Sequence, residues 1–114
     1  MLGVLESLVA SPADTARLLR ATEEVTDAKR KDDYESYLAA LAALVRDAWL
    51  LSLDQRAEIV NEDIRERLAR LSARVTNARA ARWLSRVEEL RAQLAVNVNR
   101  RAATDALFLS MAAA

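Results

Sequence analysis

Cysteine and histidine are both absent from the 114 residues, and glycine and proline occur once each, as Gly3 and Pro12. Each absence excludes a class of function. Without cysteine there is no disulfide framework, no thiolate nucleophile and no sulfur metal ligand. Without histidine a Ser-His or Cys-His catalytic pair is ruled out, and a zinc site would have to use carboxylates alone. A single glycine cannot build a phosphate-cradling loop, so ATP hydrolysis does not reside in this stretch. No apolar run reaches the roughly 20 residues that span a bilayer, and Met1-Leu2-Gly3-Val4-Leu5 lacks the length and basic start of a signal peptide. The expectation is a soluble, cytoplasmic protein with no catalytic site, no cofactor, no metal and no membrane partner.

What remains is helical in character. Ala, Leu, Arg and Glu dominate, and with the breakers so scarce the chain reads as all-α, a compact bundle of five to six helices joined by short polar turns. Hydrophobic residues make up 53% of the chain, enough for a real core in a single domain over residues 1–114. The adjacent carboxylates Asp32-Asp33, Glu23-Glu24 and Glu88-Glu89 diverge around a helix, so they read as solvated charges that do not converge on a substrate.

Start signals and apolar spacing place the helices. Ser11-Pro12 starts one that runs to about Ala28, since Ser caps and Pro is tolerated at the first helical position. Lys29-Arg30-Lys31-Asp32-Asp33 reads as a polar joint, its cations favourable at one helix end and its acids at the next start. From about Asp33 to Ser52 the residues Tyr34, Tyr37, Leu38, Leu41, Leu44, Val45, Ala48 and Trp49 recur at spacings of three and four, a face that must be core. Ala39, Ala43 and Leu50 project from the opposite face, flanked by Arg46 and Asp47. This second face suits either another helix of the same domain or a partner, since small residues admit a close backbone and Arg and Asp make directional contacts.

Downstream, Asn61 is placed to cap a helix with Glu62 and Asp63 in its first turn and a stripe of Ile64, Leu68, Leu71 and Val75. The next helix, from about Asn77, is expected to bury Ala80, Trp83, Leu84, Val87, Leu90 and Leu94. In the segment Leu94-Ala95-Val96-Asn97-Val98-Asn99, Asn97 can close that helix and Asn99 can open the last one, because Asn tolerates a left-handed backbone and its oxygen accepts from free amides. The last helix carries Ala103, Ala106, Leu107, Ser110 and Met111 on one stripe, Ala102, Leu109 and Ala113 on another and Phe108 on a third. A helix apolar all round is expected to be covered on every side.

A formal net charge of zero hides an asymmetry. Residues 1–56 carry seven bases and ten acids, while residues 57–114 carry ten bases and seven acids. The basic part concentrates in Arg67, Arg70, Arg74, Arg79, Arg82 and Arg86. Such a run can follow a phosphate backbone, but interleaved aromatics for base stacking are missing apart from Trp83, so a solvated face or the basic rim of a protein interface fits better.

The order Leu38-x-x-Leu41-x-x-Leu44-Val45-Arg46-Asp47-Ala48-Trp49-Leu50-Leu51, then Val60-Asn61-Glu62-Asp63, then Leu90-x-x-x-Leu94-x-x-Asn97-Val98-Asn99 and an apolar terminal helix, resembles the C-terminal domain of the delta-prime subunit of bacterial DNA polymerase III. The resemblance covers roughly residues 15 to 112, with Asp105 standing where that family often has Glu. It implies a clamp-loader collar domain: a non-catalytic helical piece that holds its subunit in the ring which places the sliding clamp on primed DNA. It also implies that the ATPase-like N-terminal domains lie outside this stretch, that the partners are the other clamp-loader subunits, and that DNA and the clamp are reached only through the whole complex. On this reading Ala39, Ala43, Arg46, Asp47, Leu50, Phe108 and Leu109 are candidate interface residues, and Asn61, Asn97 and Asn99 are caps or hinges. Other readings compatible with the residues are the collar of the related ATPase subunit, a small helical nucleic-acid-binding module, and a chorismate-mutase-like bundle. The last would need polar residues aimed into its core.

Overall fold

Beyond Pro12 the sequence has no glycine or proline to interrupt a helix, and the longest helix among the described residues runs for 23 residues. The computed structural model describes residues 2–9, 15–26, 31–94 and 99–113. Within them the chain forms α1 (Leu2–Val9), α2 (Thr15–Thr26), α3 (Lys31–Leu53), a short 3-10 turn (Glu62–Ile64), α4 (Arg65–Ser72), α5 (Asn77–Gln93) and α6 (Arg100–Ala113). No strand occurs among the described residues, so the all-α reading holds. The Ser11-Pro12 start and residues 29 and 30 of the polar joint lie outside the described residues.

Helix α3 is the axis of the bundle, packing most extensively on α5 and α4 and also touching α1 and α2. Tyr34, Leu38, Leu41, Leu44, Val45 and Ala48 are buried, as their spacing predicts, and Ala42 and Leu51 join them. Tyr37 and Trp49 are only partly buried and lean against this core. From Tyr34 to Leu53 the helix is long and apolar enough, by length and composition, to cross a membrane. That corrects the sequence reading: its few charges are spread too thinly to interrupt the run. One face of that stretch is core, however, with 44% of it buried against helices of the same chain.

Side-chain oxygens fix the helix ends. The Thr76 hydroxyl accepts the Arg79 amide at 3.1 Å and opens α5. Asn99 does the same for α6, its Oδ1 accepting the Ala102 amide at 3.1 Å, so its expected capping role holds. Asn97 lies outside the described residues. At the far end of α6, the Trp83 indole donates to the Met111 carbonyl at 2.9 Å, and the Arg79 guanidinium reaches the carbonyls of Ala112 and Leu8 at 3.4 Å each. Arg79 also lies over the Trp83 ring, 5.0 Å from its centroid. One arginine at the start of α5 thus closes the C-terminal ends of α1 and α6, whose last carbonyls have no partner within their own helices.

A buried polar pair joins the start of α3 to α6. The Tyr34 hydroxyl and Thr104 Oγ1 are 2.7 Å apart, and Thr104 Oγ1 also lies 2.7 Å from the Arg100 carbonyl. A carbonyl only accepts, so the threonine proton goes to it and Tyr34 donates to Thr104. Burial pushes the Tyr34 hydroxyl pKa above its ordinary value of 10.0, with the Thr104 bond and the nearby Arg100 pulling the other way.

Candidate subunit interface

The two faces of α3 part company at Arg46 and Asp47. Asp47 is 1% exposed and turns inward, where its Oδ1 accepts the Val60 amide at 3.1 Å. Its Oδ2 accepts the Asn61 amide at 2.9 Å and the Asn61 side-chain Nδ2 at 2.7 Å. This corrects two expectations. Asp47 is not available to a partner, because its carboxylate is spent on the chain's own loop, and Asn61 makes no side-chain cap bond, because its amide group is drawn to Asp47. The following helix starts instead through a 3-10 turn with Glu62 and Asp63 in its first turn.

Arg65 pins the other side of that loop. Its Nη2 donates to the Ala57 carbonyl at 2.6 Å and its Nη1 to the Gln55 carbonyl at 3.1 Å, while its remaining donors hold Glu62. The Arg65 bond is the main cause of the lowered Glu62 pKa. Between the Asp54 turn, where Asp54 Oδ1 accepts the Arg56 amide at 2.9 Å, and the Asp47 latch, residues 54–61 are tied at both ends. The loop so held presents Val60 to solvent at 76% exposure, seven residues after Leu53, which is also exposed at the end of α3. Spacing arguments did not single out either residue, since neither belongs to a helical stripe.

Arg46 points the other way and is exposed. It lines an open groove of about 430 Å³ with Ala39, Ala42 and Ala43 of α3 and Leu84, Glu88 and Arg91 of α5. The structure therefore brings together three of the expected interface residues, Ala39, Ala43 and Arg46, and adds a wall from α5. Leu84, expected in the core, is partly buried along this groove because α3 presents only alanines opposite it. Leu50 shares the outer face of α3 and is half-buried.

Helix α6 differs from its expectation of complete cover. Thr104, Leu107, Phe108 and Met111 face the core, with Phe108 1% exposed, so the Phe108 ring packs inside its own bundle. Ala102, Ala106, Leu109 and Ala113 are exposed and recur at spacings of three and four along the outer side. Leu109 is 52% exposed. Too few helices surround α6 to cover every side: α5 and α2 take the inner faces, and the outer ridge stays wet. A second groove of about 270 Å³ runs beside this ridge, lined by Ala103, Ala106 and Ser110 of α6 and by Arg86, Glu89 and Gln93 of α5.

The arginine run does not form one continuous strip. Arg67 pairs with Glu6 at 2.7 Å, Arg74 donates to the Val9 carbonyl at 2.9 Å, Arg79 is taken up at the helix ends, and Arg86 pairs with Glu89 at 3.5 Å. Arg67, Arg74 and Arg79 tie helices together, while the Arg86 pair lies within α5. Among the described residues, no three His, Cys, Asp or Glu side chains are grouped to hold a metal ion.

A family model described as DNA polymerase III, delta subunit, C terminal matches residues 4–103. The chain belongs to this clamp-loader family. The match takes in the α3 face, the Asp47 latch, the α3/α5 groove and the cap of α6, and it ends as the outer ridge of α6 begins. No curated protein sequence and no solved structure matches the chain. Family membership carries a non-catalytic, subunit-assembly domain of the DNA polymerase III clamp loader.

Proposed function

We propose that this chain is the collar domain of a delta-prime subunit, holding that subunit in the clamp-loader ring and leaving nucleotide chemistry to other parts of the machine. The family match supports the clamp-loader role, and the order of Arg46-Asp47 and Asn97-Val98-Asn99 supports delta-prime over the collar of the related ATPase subunit. The observation that carries the assembly role is the apolar ridge Ala102, Ala106, Leu109 and Ala113, left exposed on a helix whose other sides are packed. A contiguous apolar ridge of that kind fits a protein contact. The partners are the other loader subunits, DNA and the sliding clamp are reached through the assembled complex, and the setting is the bacterial cytoplasm.

Reconstitution separates the two subunit identities. Purified loader subunits are mixed with this chain in two sets, one lacking delta-prime and one lacking delta, and the products are sized by sedimentation velocity. Incorporation into the delta-prime-deficient set alone is the expected result; incorporation into the delta-deficient set alone would reassign the chain to delta. A gel-shift titration over salt on the isolated chain is expected to show no binding to primed DNA.

A further inference from the structure

The α3/α5 groove has a floor and a charge that together describe its occupant. Ala39, Ala42 and Ala43 give a floor without bulk, and Leu84 supplies an apolar wall. Along α3 the lining runs from residue 39 to residue 46, and along α5 from residue 84 to residue 91. At 1.5 Å per residue each wall is about 10 Å long, the length of two helical turns. The trough is open to solvent, which suits a helix laid into it.

The charges at the rim are uneven. Arg91 donates to Glu88 at 2.9 Å, so these two cancel within α5. Among the described residues Arg46 has no such partner: its neighbour Asp47 is turned into the core and bonded to Val60 and Asn61. The groove therefore carries one uncompensated positive charge beside an apolar floor. An occupant with no acid there would leave the guanidinium partly desolvated and unpaired.

We infer that the α3/α5 groove receives a helix of a neighbouring clamp-loader subunit, one that lays medium-sized apolar side chains on Ala39, Ala42, Ala43 and Leu84 and presents a carboxylate to Arg46. The alanine floor admits the apolar side chains because it contributes no bulk of its own, and the planar guanidinium offers a paired set of donors to one carboxylate. The inward Asp47 and outward Arg46 then have separate tasks: the first holds the domain's own loop, the second selects the partner.

This inference rests on the assembly role proposed above, and the experiment keeps the two apart. The purified remaining loader subunits serve as the probe, and binding of the chain is titrated at several salt concentrations. Arg46→Glu is expected to weaken binding by about tenfold or more, with Arg46→Lys retaining most of it but with lower affinity than arginine. Ala43→Trp, which fills the trough, is expected to weaken binding by about a hundredfold. Circular dichroism melts check that each variant stays folded, and the exposed Arg46 keeps the test valid if Ala43→Trp does not. Unchanged binding by Arg46→Glu and Ala43→Trp, alongside loss of binding by Leu109→Asp, overturns the groove assignment and leaves the assembly role intact. No binding by the unaltered chain overturns both. A dimer of the chain alone that Ala43→Trp abolishes would make a second copy the occupant and overturn the acidic partner helix.

Discussion

Helices α3 and α6 are both rich in apolar residues, yet the bundle treats them differently. α3 packs on α1, α2, α4 and α5 and its first turn is bonded to Thr104 of α6, so one broad face along its whole length becomes core. α6 packs on α1, α2 and α5, meets α3 at the Tyr34–Thr104 bond, and keeps an exposed ridge. Burial follows from how many neighbours a helix has as well as from how apolar it is, and the shortfall around α6 is where a partner finds apolar surface. The same contrast recurs within α3, where consecutive residues Arg46 and Asp47 face solvent and core respectively.

Substitutions break this contrast in order of size. Phe108→Ala, on the covered side of α6, removes a fully buried ring and is expected to destabilise the fold by about 3–5 kcal/mol, read as a fall in the urea midpoint. Asp47→Ala leaves the Val60 and Asn61 amides without their carboxylate, at a cost of about 2 kcal/mol; faster amide hydrogen exchange at residues 60 and 61 would accompany it. Tyr34→Phe deletes one buried hydrogen bond between α3 and α6 and is expected to cost about 1 kcal/mol by thermal melting. Tyr34 also gives the fold an alkaline limit. Its pKa is raised on folding, so its contribution is complete below pH 10.0 and is lost as pH rises through the higher folded value; the Tyr34→Phe protein should lack that part of the loss. Smallest in stability is Leu109→Asp on the wet ridge, expected to change the melt by less than about 0.5 kcal/mol.

Much of the fold was legible because helical periodicity reports burial directly. The α3 stripe from Tyr34 to Ala48 and the α5 stripe around Trp83 lie where three-and-four spacing puts them. Asn99 was legible as a cap because such a bond is local, made within three residues. What spacing cannot see is a partner far along the chain. Asn61 carries the features of a cap but is claimed by Asp47, fourteen residues earlier in sequence, and the arginine run dissolves into contacts with Glu6, Val9 and Leu8 on α1. The burial of Phe108 is hard to read for a related reason: an apolar residue on an all-apolar helix gives no sign of which side its neighbours occupy. The groove beside Arg46 was half visible, its α3 wall in the small residues and its α5 wall only in the packing.

Asp47→Asn and Leu109→Asp, measured side by side for thermal melting and for assembly with the purified loader subunits at a temperature where both are folded, test the division between inward and outward faces most directly. Asp47→Asn is expected to lower the melting temperature and still assemble, while Leu109→Asp melts like the unaltered chain and assembles poorly. The opposite pattern, with Asp47→Asn assembling poorly at an unchanged melt and Leu109→Asp assembling normally, would contradict the account.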